Sequence, residues 1–232
     1  MTQRVLVVDV ATGKIVSAEA LIRWNHHSFG MLAPYKFIPA FEENGDISKI
    51  TRFMVDSVIA FNEDRKSRGL TPVPCAVNLS RIDFYNPKLV NYLIDKFEKT
   101  SGVTDMIKVE VTESAYAVLE ADGIRLLNKI HDMGIKILLD DYGSGKSFAF
   151  DTIKLDMGFI RKIGTSHTAE AIIRSTIDMA HKPAPRKAFL NPRFTRYSSL
   201  CLSIGRSLSG TLMPFSIAIS ASFIRSLCLR IR

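Results

Sequence analysis

The sequence predicts an α/β protein in which strands and helices alternate, as in a parallel sheet or a βα-barrel. Short apolar runs typical of buried strands recur at steps of roughly 25 to 40 residues, and segments of helical periodicity separate them. Most of the predicted strands also end on a polar or charged residue. The carboxyl ends of the strands are where a βα-barrel places its chemistry.

The first half of the chain predicts three strands and two helices. Strands are expected at 4–10 and 15–23, joined by a turn at Gly13, and a third at 74–79. Helices are expected at 34–44 and 47–68, the second ending at Gly69. Apolar spacing in that second helix predicts a buried stripe of Ile50, Phe53, Met54, Ser57, Val58 and Phe61.

The second half predicts three more helices and three more strands. Asn86 followed by Pro87 is typical of a helix N-cap and first turn, and predicts a helix to about Lys99. Further helices are expected at 114–133, stopped by Gly134, and at 166–182. The remaining strands are expected at 106–111, 135–139 and 152–155.

Composition excludes several classes of protein. The three cysteines are scattered, so we expect neither a disulfide framework nor a zinc site. No signal peptide and no apolar run of about 20 residues is present, so we expect a cytoplasmic protein without a membrane span. The net charge of +8 is carried by residues 183–232, which contain eight basic and no acidic residues. The balanced remainder gives no reason to expect DNA or RNA binding.

Acidic and amide side chains gather at the predicted strand ends and form the candidate site. Glu19, Leu21 and Arg23 alternate on one face of the second strand. Later strands end in further polar residues: Asn78, Glu110, Glu113, Asp140, Asp141, Lys154 and Asp156. Hard oxygen ligands of this kind suit Mg²⁺ or Mn²⁺. With a lysine to offset charge on a phosphate, the set predicts metal-dependent phosphodiester hydrolysis.

A second motif, which resembles a phosphate-binding P-loop, does not fit the sequence. Gly143-Ser144-Gly145-Lys146-Ser147 ends like a phosphate-binding P-loop. That loop needs a glycine where this chain has Asp140, a carboxylate that would repel the phosphate. We therefore reject nucleotide binding by a P-loop.

Six ordered motifs between about Thr12 and Lys182 resemble the EAL-domain cyclic-di-GMP phosphodiesterases. They are Glu19-Ala20-Leu21-Ile22-Arg23-Trp24, Phe37-Ile38-Pro39, Val77-Asn78-Leu79-Ser80, Glu110-Val111-Thr112-Glu113-Ser114, Asp140-Asp141-Tyr142-Gly143-Ser144-Gly145 and Lys154-Leu155-Asp156. The resemblance implies a TIM-like (βα)8 barrel, here incomplete, with about six recognisable βα units. It also implies opening of cyclic-di-GMP to linear pGpG with two Mg²⁺ or Mn²⁺ ions.

The same resemblance assigns roles to the candidate residues. Glu19, Asn78, Glu110 and Asp140 would hold the first metal, and Asp140 would bridge to the second with Asp141 beside it. Lys154 would position the attacking water, and Glu113 would anchor the loop that begins at Asp141. Leu21 and Arg23 would contact the substrate, with Asp156 near the same pocket.

Two departures from the family pattern lower the activity that we expect. Asp140 and Lys154 are only 14 residues apart, a shorter spacing than in the family, so part of the loop is missing. The family usually dimerises through this loop region, so we expect a homodimer to be possible here but with a shortened contact region. After Lys182, the seventh-strand Ala-Glu-Gly-Val-Glu motif and the eighth-strand Gln-Gly are missing, and a second-metal ligand is missing with them. We expect impaired hydrolysis or, as the alternative, a degenerate protein that at most binds cyclic-di-GMP or a partner.

The chain is therefore divided into a partial EAL-type barrel at 1–182 and a basic tail, rich in Ser, Arg and Leu, at 183–232. Our first hypothesis for the tail is out-of-frame translation without a selected function. Its alternating apolar residues leave open strands that fill the barrel gap, or aggregation-prone segments. We expect no sensor or GGDEF-like cyclase segment in the chain.

Overall fold

The computed structural model describes residues 1–9, 12–142, 152–155 and 160–181. Its strands fall where the sequence places them, to within a few residues. The eight strands among the described residues are β1 (Thr2–Val8), β2 (Ile15–Ile22), β3 (Trp24–His26), β4 (Gly30–Leu32), β5 (Cys75–Asn78), β6 (Ile107–Thr112), β7 (Ile137–Tyr142) and β8 (Thr152–Leu155).

Six α-helices lie in the described part of the chain. They are α1 (Ile38–Glu43), α2 (Ile47–Ser67), α3 (Pro87–Lys99), α4 (Glu113–Ala117), α5 (Ala121–Asp132) and α6 (His167–His181). The predicted cap of α3 is confirmed, because the Asn86 side chain accepts hydrogen bonds from the backbone N–H groups of Lys88 and Leu89. Short 3₁₀-helices occur at Pro34–Lys36, Arg81–Tyr85 and Val103–Asp105.

Six strands form one mixed sheet in the order β1-β2-β5-β6-β7-β8. Strand β1 runs antiparallel to β2, and all the other neighbours are parallel. The pairing of β7 with β8 is parallel although only residues 143–151 connect them. This connection is shorter than the dozen or more residues that a parallel crossover normally needs.

The two faces of the sheet differ sharply in chemistry. Alternate residues of β2, β5, β6 and β7 form an apolar face that is almost wholly buried: Ala18, Ala20, Cys75, Val77, Ile107, Val109, Val111, Ile137 and Leu139. Helices α2, α3 and α5 pack on this face and form one core with it. The intervening residues lie on the opposite face, which carries the candidate site.

The buried stripe of α2 agrees with the prediction at Met54 and Val58, which are buried, and differs from it at other positions. Phe53 is 45% exposed, whereas Thr51, Val55, Ile59 and Asn62 are buried. The helix is therefore rotated about its axis from the orientation that apolar spacing alone indicates. Buried polar residues cause the difference, because Thr51 and Asn62 face the core and bond there.

Two further predictions need correction. The helix expected at 114–133 is two helices, α4 and α5, which are separated at residues 118–120. A small hairpin of β3 and β4 follows β2, where we predicted no strand. Gly30 closes the turn of this hairpin with φ +66, a conformation that favours glycine.

The tail prediction falls on residues that the structure does not describe. Residues 182–232, and with them the frameshift and gap-filling hypotheses, lie outside the described ranges.

Candidate metal and substrate site

Glu19, Asn78 and Glu110 share the face of the sheet opposite α2, α3 and α5. Glu19 on β2 is paired with Ala76 on β5, so the two residues lie on the same face. Asn78 lies two residues beyond Ala76 and returns to that face. Asn78 is in turn paired with Glu110 on β6, which places a carboxamide and a carboxylate side by side at the strand ends.

Asp140 joins the same face from the next strand. Glu110 is paired with Leu138 on β7, and Asp140 follows two residues later. The sheet therefore brings all four predicted ligands of the first metal to one face of four adjacent strands, towards their carboxyl ends. The exposure of these side chains differs: Glu110 is 1% exposed, Glu19 and Asp140 are half-buried, and Asn78 is exposed to solvent.

Two of the site carboxylates have an oxygen atom that is buried from solvent. The Oε2 atom of Glu110 and the Oδ1 atom of Asp140 have essentially no solvent-accessible area. A buried carboxylate is costly unless it is hydrogen-bonded, paired with a charge or bound to a metal. Two such oxygens on neighbouring strands are donors of the type that a hard divalent cation prefers.

Arg23 and Glu19 interact at the end of β2. Arg23 is only 8% exposed, and its Nη1 donates to the carbonyl oxygen of Ile22 at 2.9 Å. Burial lowers the pKa of the guanidinium, and the negative charge of Glu19 partly restores it. Arginine stays charged in proteins, so this corner holds a permanent cation beside the candidate ligands. Leu21, between them in sequence, is half-buried.

Glu113 lies just beyond β6 as the first residue of α4, and it is 3% exposed. Thr112 caps that helix, since its Oγ1 accepts from the backbone N–H of Ala115 at 3.2 Å. The local turn thus withdraws Glu113 from solvent directly after the site strand.

Three predicted residues lie partly or wholly outside the structural description. Asp141 and Lys154 lie within β7 and β8, but only their backbone positions are described. Position 154 follows Ile153, which pairs with Leu139, so it comes beside the Asp140 end of β7. Asp156 is outside the described residues.

The side chains that the structure describes do not form a ready-made cage for an ion. Among them, no three acidic, histidine or cysteine side chains come close enough together to hold a metal. The donor set still fits Mg²⁺ or Mn²⁺ chemically, because it consists of carboxylates and one amide oxygen without thiolates. Binding of a metal would therefore have to draw these side chains closer together than they are in this structure.

Sequence reasoning missed a group of hydrogen-bonded residues that follows Asn78 in the chain. Ser80 donates its hydroxyl to Glu42 Oε1 at 2.6 Å, and its backbone N–H donates to Asp83 Oδ2 at 2.9 Å. Asp83 is fully buried. The available signal was the Ser-x-x-Asp spacing, which is a capping-box pattern at the start of a short helix.

Comparison with known proteins decides the family. Residues 6–184 match the model of the EAL domain, which is more than half of the chain. The chain belongs to the EAL domain family. The predicted family is thereby confirmed, and with it the predicted class of α/β, TIM-like barrel.

Individual relatives agree with this assignment. The EAL chain is 32% identical over 176 residues to an uncharacterized signaling protein of Caulobacter vibrioides, covering 73% of the chain and 21% of that relative. It is 27% identical to the cyclic di-GMP phosphodiesterase NbdA of Pseudomonas aeruginosa, covering 76% of the chain and 23% of the relative. The chain thus spans about a quarter or less of the length of these two proteins.

A solved structure supports the fold over most of the described residues. The PaMucR phosphodiesterase in complex with c-di-GMP superposes with a TM-score of 0.69 at 27% identity, covering 78% of the EAL chain and 76% of that structure. In the described part of the chain, no helix has the length and apolar character needed to cross a membrane.

Proposed function

We propose that this EAL chain hydrolyses cyclic-di-GMP to linear pGpG with Mg²⁺ or Mn²⁺, at an activity lowered by the missing second-metal ligand. The observation that carries the proposal is the register that puts Glu19, Asn78, Glu110 and Asp140 on one face of four adjacent strands. Membership of the EAL family and the likeness to phosphodiesterases support the same reaction.

In this proposal, the four shared-face residues hold the first metal and Asp141 helps to hold the second. The metals would supply Lewis acidity at the phosphodiester and offset the negative charge that develops there. Arg23 would bind a phosphate oxygen, since its guanidinium lies at the end of β2 and the negative charge of Glu19 helps to keep it protonated. Leu21 and Asp156 would contact the rest of the dinucleotide.

Two other residues would orient the attacking water and anchor the loop. Lys154 would orient the attacking water and stabilise charge on the phosphate. Glu113, buried at the start of α4, would anchor the loop that begins at Asp141.

Two observations favour a second candidate, a chain that binds cyclic-di-GMP without turnover. The described side chains form no three-acid cluster, and the sequence lacks the Ala-Glu-Gly-Val-Glu segment that supplies a second-metal ligand in the family. Substrate binding through Arg23 would survive such a loss, whereas hydrolysis would not.

The test incubates the purified full chain with Mn²⁺ and cyclic-di-GMP and measures pGpG by chromatography, alongside calorimetric binding of the dinucleotide. We expect pGpG formation that is abolished by Glu19→Gln and by chelation of the metal. Glu63→Gln is the matched control, because Glu63 is an exposed carboxylate of α2. Binding without product would support the second candidate, and neither binding nor product would refute both.

A further inference from the structure

Ser80 joins three elements of the fold through hydrogen bonds. Its hydroxyl donates to Glu42 on α1, and its backbone N–H donates to Asp83 in the 3₁₀-helix that follows. Asp83 also accepts from Ser48 Oγ at 2.9 Å and from Thr51 Oγ1 at 2.7 Å, both on α2. We call these five residues the Ser80 junction.

The Ser80 junction leads directly to the candidate metal site. Ser80 lies two residues after Asn78, at the point where the chain leaves β5. Between them, the backbone N–H of Leu79 donates to the carbonyl oxygen of Glu110 at 2.8 Å. The segment that carries Asn78 is therefore held on one side by the backbone of Glu110 and on the other by Asp83.

Burying the carboxylate of Asp83 costs free energy, which a neutral residue in the same turn would not cost. It is 0% exposed, and the bonds described for it come from two hydroxyls and one amide rather than from a cation. Burial raises its pKa, the three hydrogen bonds oppose that rise, and the nearby charge of Glu42 adds to it. Stability alone would be served as well by a neutral group of the same shape.

We propose that Asp83 and Glu42 act through Ser80 as positioning residues that hold the Asn78 carboxamide beside Glu110 for the metal. This inference rests on the proposed function. Partners of this outer kind orient the groups that bind a metal directly, and their loss costs about 10- to 100-fold in metal affinity. The Ser80 junction would thus act on affinity for the metal rather than on the fold alone.

The test compares three variants of the full chain. Asp83→Ala removes all three hydrogen bonds, and we expect Mn²⁺ affinity about 10-fold weaker. Asp83→Asn keeps an oxygen for Ser80 and Thr51, and places its amide nitrogen against Ser48 Oγ, which can accept. It should restore most of the affinity.

Asp56→Ala is the matched control. Asp56 lies on α2, as do Ser48 and Thr51, and it binds Tyr92 and Lys96 on α3, with no connection to Asn78 among the bonds described. It should lower thermal stability without changing Mn²⁺ affinity. Hydrogen exchange of the Leu79 N–H measures directly how firmly the segment between Asn78 and Ser80 is held. If the affinity loss passes through this segment, the exchange rate should rise about 10-fold more in Asp83→Ala than in Asp56→Ala.

Each outcome is decisive. Equal Mn²⁺ affinity in wild type and Asp83→Ala, or weaker affinity with unchanged Leu79 exchange, would overturn the positioning role while leaving the proposed function standing. A wild-type chain that binds no Mn²⁺ would refute the proposed function, and this inference with it.

Discussion

Replacing Asn62 by alanine should destabilise the protein more than replacing an exposed asparagine on a helix. The Asn62 side chain is 0% exposed, and its Nδ2 donates to the carbonyl oxygens of Val73 and Met106, each at 3.1 Å. Its Oδ1 accepts from the Val73 N–H at 2.8 Å. These bonds tie α2 to the segments just before β5 and β6, the strands that carry Asn78 and Glu110.

The expected magnitude follows from these contacts. Asn62→Ala removes three bonds between segments, at about 1 kcal/mol each, so we expect a loss of about 3 kcal/mol in the free energy of unfolding. For a chain of this size, that corresponds to a fall in Tm of about 6–12 °C. A fourth bond, from Nδ2 to Val58 O at 3.3 Å, lies within the helix and adds little.

Urea unfolding followed by far-ultraviolet circular dichroism measures the change as a shift in midpoint at constant slope. Asn91→Ala is the control, because Asn91 is an exposed asparagine on α3 and its replacement should change stability by less than about 0.5 kcal/mol. If Asn62→Ala costs no more than Asn91→Ala, then the bonds of Asn62 do not hold the strands and the reasoning is refuted.

Two other predictions concern burial. Because Asp83 has a raised pKa in the fold, its protonated form is favoured there, so its contribution to stability is greatest below about pH 4 and is lost as the pH rises through the raised value. As the pH rises from 3 to 7, the free energy of unfolding of Asp83→Asn should therefore increase relative to that of the wild type. A difference between the two that stays constant over this pH range in urea titrations would contradict this. Phe53→Ala should cost less than about 0.5 kcal/mol, while Ile59→Ala one turn and a half further along α2 should cost about 2–5 kcal/mol; similar thermal shifts in the two would contradict the observed orientation of the helix.

Local signals predicted the strands and their polar ends well, because alternation and turn residues act within a few positions. The cap at Asn86 and the strand at Ile107–Thr112 are examples. The face of the sheet that holds Glu110 could also be predicted, since strand alternation fixes which residues share a face.

The remaining features depend on partners that are distant in sequence. The orientation of α2 is set by Thr51 and Asn62, whose partners lie at Asp83, Val73 and Met106. Apolar spacing counts such residues as exposed because they are polar. The Ser80 junction was missed for the same reason, since a buried aspartate looks like a surface residue until its donors are known.

The register of the sheet sets a condition on the inclination of its strands. From Glu19 on β2 to Asp140 on β7, the ligand positions advance by four residues over three steps between neighbouring strands. Four residues span about 13 Å along a strand and three steps about 14 Å across, so the two positions come level only if the strands are tilted by about 43°. That angle falls within the 35–45° typical of closed barrels. The inclination of the strands is thus itself a part of the site: strands without this tilt would place Glu19 and Asp140 at different heights along the barrel axis without altering either side chain.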